Sequence, residues 1–345
     1  MRIRLIPSLK ISMTIIGTTI GAGFASGREI WEFFGSYGTA SHWSLLLSLF
    51  LFFGAGMIIL FISWRYQTEN YAELLRKLMG ERFAILFDGL ILIYLLTTSI
   101  VMLAGSGAIF EQWDQSFFEG CLILALPSFL ILFFDIRGLL SINTILMPIL
   151  SIILLAVFIY YLIQPDPYVG TKVAESIHLP VWPSAIAYAA FNIISLVAVL
   201  ATMGKTINHP SEIWIAGVIS FIVLGLIAIL FNICLLRASH LLSQYEIPLF
   251  ALVQNVSPMI LLGITIVLWL SIYTTTVSNL YGLAYRMQGL LPWPHWLIGF
   301  LMLSILIPFA RIGFSSLVSW LYPLYGVLNL FLLAMIWLYP FTQKE

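Results

Sequence analysis

Gly17-Thr18-Thr19-Ile20-Gly21-Ala22-Gly23-Phe24-Ala25-Ser26-Gly27 lies in the middle of an apolar run that extends from Lys10 to Ser36. It places four glycines and three hydroxyls at the centre of a segment long enough to cross a bilayer. Backbone groups released from helical bonding are tolerated at membrane depth only where they line a cavity enclosed by protein. An unwound turn here would aim the free N–H groups of the second half-helix, about Phe24 to Gly27, at an anionic group such as a carboxylate. Gly17-xxx-Gly21 and Gly23-xxx-Gly27 also suit close packing of one helix on another. Spacing by itself leaves both uses open.

The rest of the chain explains why this run crosses a membrane. Of 345 residues, 61% are hydrophobic and 9% charged, with a mean hydropathy of +1.04, against roughly 25% charged residues in a soluble domain. A soluble globular protein is excluded, and the lipid bilayer is the implied surrounding. Fifteen basic and fifteen acidic residues leave no net charge to suggest nucleic acid, and no protein partner is indicated. Arg2, Arg4 and Lys10 before a short apolar stretch imitate a secretory leader. That reading fails because hydrophobic sequence continues through Ile30-Trp31 and Phe33-Phe34.

Apolar runs bounded by charge, Pro and Gly predict ten transmembrane helices, at about 9–35, 42–64, 83–110, 117–134, 139–163, 181–204, 211–236, 258–285, 294–310 and 314–339. With the N-terminus cytoplasmic, Arg2, Arg4, Lys10, Arg65, Arg76, Lys77, Arg82, Arg137, Lys205, Arg286 and Lys344 fall inside, and only Lys172, Arg237 and Arg311 outside. This bias places both termini on the cytoplasmic side of the membrane.

Two segments outside the spans have apolar residues at helical spacing. One, Gln67 to Gly80, carries Tyr71, Leu74, Leu75 and Leu78; the other, Ala238 to Val256, carries Leu241, Leu242, Leu249, Leu252 and Val253. Each follows the second span of one half, on opposite sides, as an inverted repeat of five plus five helices requires. The expected organisation is one integral membrane domain with a first repeat at 1–163, an external connection at 164–180 containing three prolines, and a second repeat at 181–345.

In span 6, carbonyls released around Tyr188, Ala189 and Phe191, with Asn192 beside them, would face an ammonium group while span 1 faces the carboxylate; a packed helix is the alternative. Span 8 concentrates Ser271, Thr274, Thr275, Thr276, Ser278 and Asn279, whose hydroxyls could join loosened carbonyls of span 1 around a small cation or could bond back to their own helix. Arg28, Glu29 and Glu32 lie one to two turns outward from the glycines. They read either as a local Arg28–Glu32 ion pair or as gate and substrate contacts. Asp88 reads as an interfacial or N-terminal-turn residue, with a proton relay as the alternative, and Ser106 in Gly105-Ser106-Gly107 as helix packing or a substrate contact. Cys121 and Cys234 lack metal-ligand spacing, the five histidines lie in or beside loops, and no phosphate-cradling motif is present. Enzyme chemistry and a bound cofactor have no sequence support.

The stretch Thr18 to Phe34 resembles the signature of the YkvI-type bacterial membrane proteins, a branch of the amino acid, polyamine and organocation transporter superfamily. Gly105 to Phe110, Tyr188 to Asn192, Glu246-Ile247-Pro248 and Tyr273 to Thr276 resemble the same family. The resemblance implies an all-α LeuT-type 5+5 inverted repeat with broken helices 1 and 6. A small-molecule substrate, an amino acid or similar zwitterion, would bind at Gly21, Ala22, Gly23, Phe24, Ala25, Ser26, Gly27, Ser106, Tyr188, Ala189, Phe191 and Asn192. It also implies sodium as a coupling ion at the carbonyls of Gly17 and Ile20 and the hydroxyls of Thr275 and Thr276, or of Thr274 if the register slips by one. Proton-driven relatives place a lysine in span 5, which is absent here. Gated relatives pair an arginine of span 1 with an acid of span 10, and Phe314 to Tyr339 holds no Asp or Glu. Germinant-receptor membrane subunits resemble the same fold, so a ligand-sensing subunit is the alternative to a symporter.

Overall fold

The computed structural model describes residues 5–133, 137–164, 180–288 and 293–342. Arg2, Arg4, Asp135, Lys172, His178, Lys344 and nearly all of the expected connection at 164–180 lie outside the described residues.

Every regular element among the described residues is helical. The order is α1 (Leu5–Thr19), α2 (Ala22–Ala25), α3 (Arg28–Phe33), α4 (Ser41–Tyr66), α5 (Tyr71–Glu111), α6 (Phe117–Leu130), α7 (Arg137–Ile163), α8 (Trp182–Leu200), α9 (Pro210–Arg237), α10 (Pro248–Leu252), α11 (Pro258–Gln288), α12 (His295–Ala310), α13 (Phe314–Leu328) and α14 (Leu330–Thr342). Helical turns of 3₁₀ type at Gly35–Ala40 and Ala201–Thr206 lead into α4 and extend α8.

Among the described residues seven helical stretches are long and apolar enough to cross a membrane: Gly35–Tyr66, Tyr71–Glu111, Leu146–Ile163, Trp182–Thr206, Pro210–Arg237, Pro258–Ala284 and Phe314–Thr342. Phe117–Phe133 and Trp296–Ala310 are shorter apolar helices. Large apolar side chains such as Phe50, Ile152, Ile222 and Trp320 point outward, as lipid contact requires, and the protein is a multi-pass membrane protein. α8 occupies the middle, against α1, α4, α5, α13 and α14, while α11 packs on α2, α5, α7 and α12.

The two amphipathic segments fold differently. Tyr71 to Gly80 is helical, with Leu74, Leu75 and Leu78 buried, and joins the following span through a kink at Gly80. Its start is fixed reciprocally: Asn70 Oδ1 accepts the Glu73 N–H at 2.9 Å, and the Glu73 carboxylate accepts the Glu69 N–H at 3.1 Å. Ala238 to Val256 forms only a 3₁₀ turn and the five-residue α10, which Pro248 starts. Leu242, Leu249, Leu252 and Val253 are nevertheless buried.

One expectation is corrected. α8 runs without interruption from Trp182 to Leu200, so no break occurs near Tyr188 to Phe191 and the carbonyls there are not released. The reason is local: the segment lacks Gly and Pro at its centre, and Ala185, Ala187, Ala189 and Ala190 are strong helix formers. Asn192 reinforces the helix by donating from Nδ2 to the Tyr188 carbonyl at 3.2 Å.

Candidate functional site

α1 ends at Thr19, whose hydroxyl, like that of Thr18, donates back along the helix, to Ile15 O at 2.9 Å and to Thr14 O at 2.7 Å respectively. The Ile20 N–H still reaches Ile16 O at 2.8 Å. Gly21 is then extended (φ −84°, ψ −176°) and α2 starts at Ala22. This interruption leaves two sets of polar groups without backbone partners: the N–H groups of the buried Ala22, Gly23 and Phe24, and the carbonyls of the half-buried Gly17 and Thr18 and of the buried Ile20.

A second discontinuity follows within five residues. Gly27 adopts φ +81°, a left-handed conformation that suits glycine; a Cβ there would meet Phe231 at 2.6 Å and Pro248 at 3.3 Å. The Ser26 hydroxyl donates to Gly23 O at 2.7 Å and accepts the Arg28 N–H at 3.2 Å. α10 is tied across this point, the Leu249 N–H donating to Ser26 O at 2.9 Å. The Glu246 carboxylate accepts the Ser315 N–H at 2.7 Å, joining the same loop to the first turn of α13.

The expected gate residues separate into two roles. Arg28 and Glu32 form an ion pair at 2.7 Å on the partly exposed side of α3. Glu29 points the other way, is buried, and packs directly over the backbone of Gly23. Its Oε2 has no hydrogen-bond partner, nor has the Tyr188 hydroxyl, although the two groups interact. The Tyr322 hydroxyl of α13 also faces Gly23. Aromatic rings close the region: Phe33 and Phe34 lie 5.1 and 5.0 Å from Tyr188, Phe191 stacks on Tyr322 at 4.4 Å, and Tyr94 meets Phe191 at 6.2 Å. A small apolar cavity beside Thr19, Phe24, Ile30, Phe34 and Tyr188 is about large enough for one water.

Sequence reasoning missed Tyr94 and Tyr322. Span 10 carried a signal, since Tyr322 and Tyr325 are three apart beside Pro323 and share one helix face. Tyr325 shares its hydroxyl with Thr97 at 2.7 Å.

Other expected residues lie as follows. Ser106 is fully buried, donates to Gly120 O at 2.7 Å and accepts from Trp269 Nε1 at 2.9 Å, so its hydroxyl joins α5, α6 and α11. Ala189, Phe191 and Asn192 are buried on α8. Thr275 and Thr276 donate to Ser271 O at 2.9 Å and Ile272 O at 2.8 Å, which leaves oxygen lone pairs on a helix that packs against α2. Asp88 accepts from the Tyr71 hydroxyl at 2.9 Å and pairs with Arg286 at the bundle end where α4 and α8 terminate. Lys205 and Glu69 pair at the same end; this exposed contact holds the Glu69 carboxyl below the usual range. Among the described residues no group of three His, Cys, Asp or Glu side chains could hold a metal ion.

No protein-family model matches the chain. Its backbone resembles that of MhsT in complex with L-phenylalanine, with a TM-score of 0.67 at 16% identity, covering 98% of this chain and 89% of that one. A Na+-coupled sialic acid symporter in a substrate-bound outward-open state gives 0.59 at 12% identity, over 96% and 78%. A manganese transporter of Eremococcus coleocola gives 0.53 at 16%, over 96% and 74%. The helical arrangement is therefore of the LeuT type. By sequence the chain is 37% identical to the uncharacterized protein YyaD of Bacillus subtilis (strain 168) over 337 residues, 97% of this chain and 98% of that protein. It is 28% identical to the uncharacterized membrane protein YkvI of the same organism over 332 residues, 93% and 92% respectively. The chain belongs to the family of YyaD and YkvI.

Proposed function

We propose that the protein is a secondary active transporter that moves a small zwitterionic solute, an amino acid, across the cytoplasmic membrane by alternating access. The observation that carries this reading is the interruption at Ile20–Gly21, which frees buried N–H groups and neighbouring carbonyls from backbone bonding. The amides of Ala22, Gly23 and Phe24 suit a carboxylate, and the backbone segment to Gly27 lines that position. Because α8 is intact, it contributes side chains, Tyr188 and Asn192, where released carbonyls were expected. Neighbours of the same fold that carry an amino acid ligand or a sodium-coupled solute support this class.

In this reading the chain spans ten times as two inverted repeats, 1–163 and 181–345, joined outside by 164–180, with both termini cytoplasmic. α10 closes the outer end over Ser26 and Gly27, and the Asp88–Arg286 and Lys205–Glu69 pairs close the inner end. Sodium would sit between the Gly17 and Ile20 carbonyls and the Thr275 and Thr276 hydroxyls. It would neutralise the exposed carbonyl dipoles and favour solute binding by the same coupling free energy that the solute returns to it.

Uptake of a labelled amino-acid panel into vesicles containing the purified protein tests the class. Absence of both binding and uptake would defeat it, and binding without flux would indicate a sensing subunit. Uptake unchanged when choline replaces sodium, or in the Thr275→Val/Thr276→Val variant, would remove the sodium site alone.

A further inference from the structure

Glu29 combines features that a gate residue does not need. It belongs to α3, a six-residue helix bounded at its start by the left-handed Gly27, and only 6% of its surface is exposed. No Lys, Arg or His stands within ion-pair distance of it among the described residues, because Arg28, its neighbour in sequence, is paired with Glu32 on the other side of α3.

Its surroundings come from every element packed on α3. α8 presents the Tyr188 hydroxyl, α13 presents Tyr322, and Tyr94 of α5 stands close enough to interact. α9 meets this region with Phe231, α2 has no titratable residue, and the 35–40 turn carries Tyr37, which makes no hydrogen bond to Glu29. All three facing groups are neutral hydroxyls. An ionised carboxylate at this point would be a buried charge without a counter-charge, a costly state in a membrane interior. On its Gly23 side the carboxyl leaves no room for an organic cation, since even a methyl group added there would overlap Oε1. A proton needs no such room.

We propose that Glu29 is a proton-binding site of the transport cycle: it carries a proton while α3 is packed on Gly23 and releases it when α3 moves away and water enters. The step is a simple acid–base exchange. A proton from the solution on one side adds to a carboxylate oxygen to give the carboxylic acid, whose O–H can donate to the unpartnered Tyr188 hydroxyl. Opening toward the other side returns the proton to water and restores the carboxylate. The glycines place this acid on the movable part of the chain, and the break that exposes amides to a solute carries the proton site with it. Its part in coupling rests on the transporter reading; its protonation in the closed arrangement does not.

Infrared difference spectroscopy on the lipid-embedded protein, stepped from about pH 5 to about pH 9, reads the carboxyl directly. A carboxylic-acid C=O band at neutral pH, absent in Glu29→Gln and restored in Glu29→Asp, is the expected result. If Glu29→Gln fails to fold, Tyr188→Phe should shift the same band by removing its hydroxyl partner. In vesicles enclosing a pH-sensitive dye, amino-acid uptake by the wild type should acidify the lumen, while Glu29→Gln should exchange labelled for unlabelled solute without moving protons. A carboxylate ionised across the whole range, or a dye response unchanged in Glu29→Gln, would overturn the proposal. If no amino acid moves in either protein, the transporter reading fails and the band alone decides whether Glu29 holds the proton.

Discussion

Adding a single methyl group at Gly23 tests the contact on which the site is built. In Gly23→Ala the new Cβ would overlap Glu29 Oε1, stand 2.9 Å from Glu29 Cδ and 3.0 Å from the Tyr322 hydroxyl, where ordinary contacts are 3.4–4 Å. The carboxyl must therefore leave its place, and the surrounding Tyr188 and Tyr322 are themselves buried. Overpacking of this kind costs about 1–3 kcal/mol, offset by up to about 1 kcal/mol because alanine is the better residue in a helix. The net expectation is a loss of between about 0 and about 3 kcal/mol. In a Glu29→Ala background the obstructing carboxyl is gone, so the same methyl should be neutral or stabilising, giving a coupling of about 1–3 kcal/mol between the two positions. Reversible unfolding in mixed micelles of the four proteins of this cycle measures it. Additivity within about 0.5 kcal/mol would show that Glu29 does not rest on the Gly23 backbone, and the argument for a closed proton site would fall with it.

Ser106→Ala should lower stability by about 1–3 kcal/mol, because it leaves both Gly120 O and Trp269 Nε1 without their partner; a changed Trp269 fluorescence environment would accompany the loss. Asp88→Asn should cost no more than about 1 kcal/mol but free Arg286 for tryptic cleavage, and unchanged protection would contradict the inner closure described above. Lys205 holds the Glu69 carboxyl below its usual range, so the pair's contribution is present above the ordinary glutamate value and is lost as pH falls through the lowered one. The difference in unfolding midpoint between wild type and Lys205→Gln should thus be small at neutral pH, vanish in acid, and vanish in high salt because both side chains are exposed.

The all-helical, multi-pass character was legible because hydrocarbon forces each crossing segment to satisfy its own backbone, so length and hydropathy carry the information; among the described residues seven helical stretches reach crossing length where ten were expected. The weak point in the first span was legible for a related reason: Gly21, Gly23 and Gly27 advertise conformations and close approaches that other residues resist. Both signals reside in neighbouring residues. The persistence of α8 through Tyr188 to Phe191 was also written locally, in its alanines, and was outweighed there by the expectation of symmetry between the halves. The direction in which each polar side chain points was not legible. Arg28, Glu29 and Glu32 differ by one or a few positions in sequence, yet one turn of α3 sends Arg28 and Glu32 to each other and Glu29 to the tyrosines of α8, α13 and α5. Ser106 likewise has its partners fourteen and one hundred and sixty-three residues away. Such partners are chosen by the rotation and depth of whole helices against one another, which depend on how every apolar face in the bundle packs. The sequence alone determined that the chain is a helical membrane protein and where its first apolar run can break, and the tertiary structure decided which carboxyl is left buried beside that break.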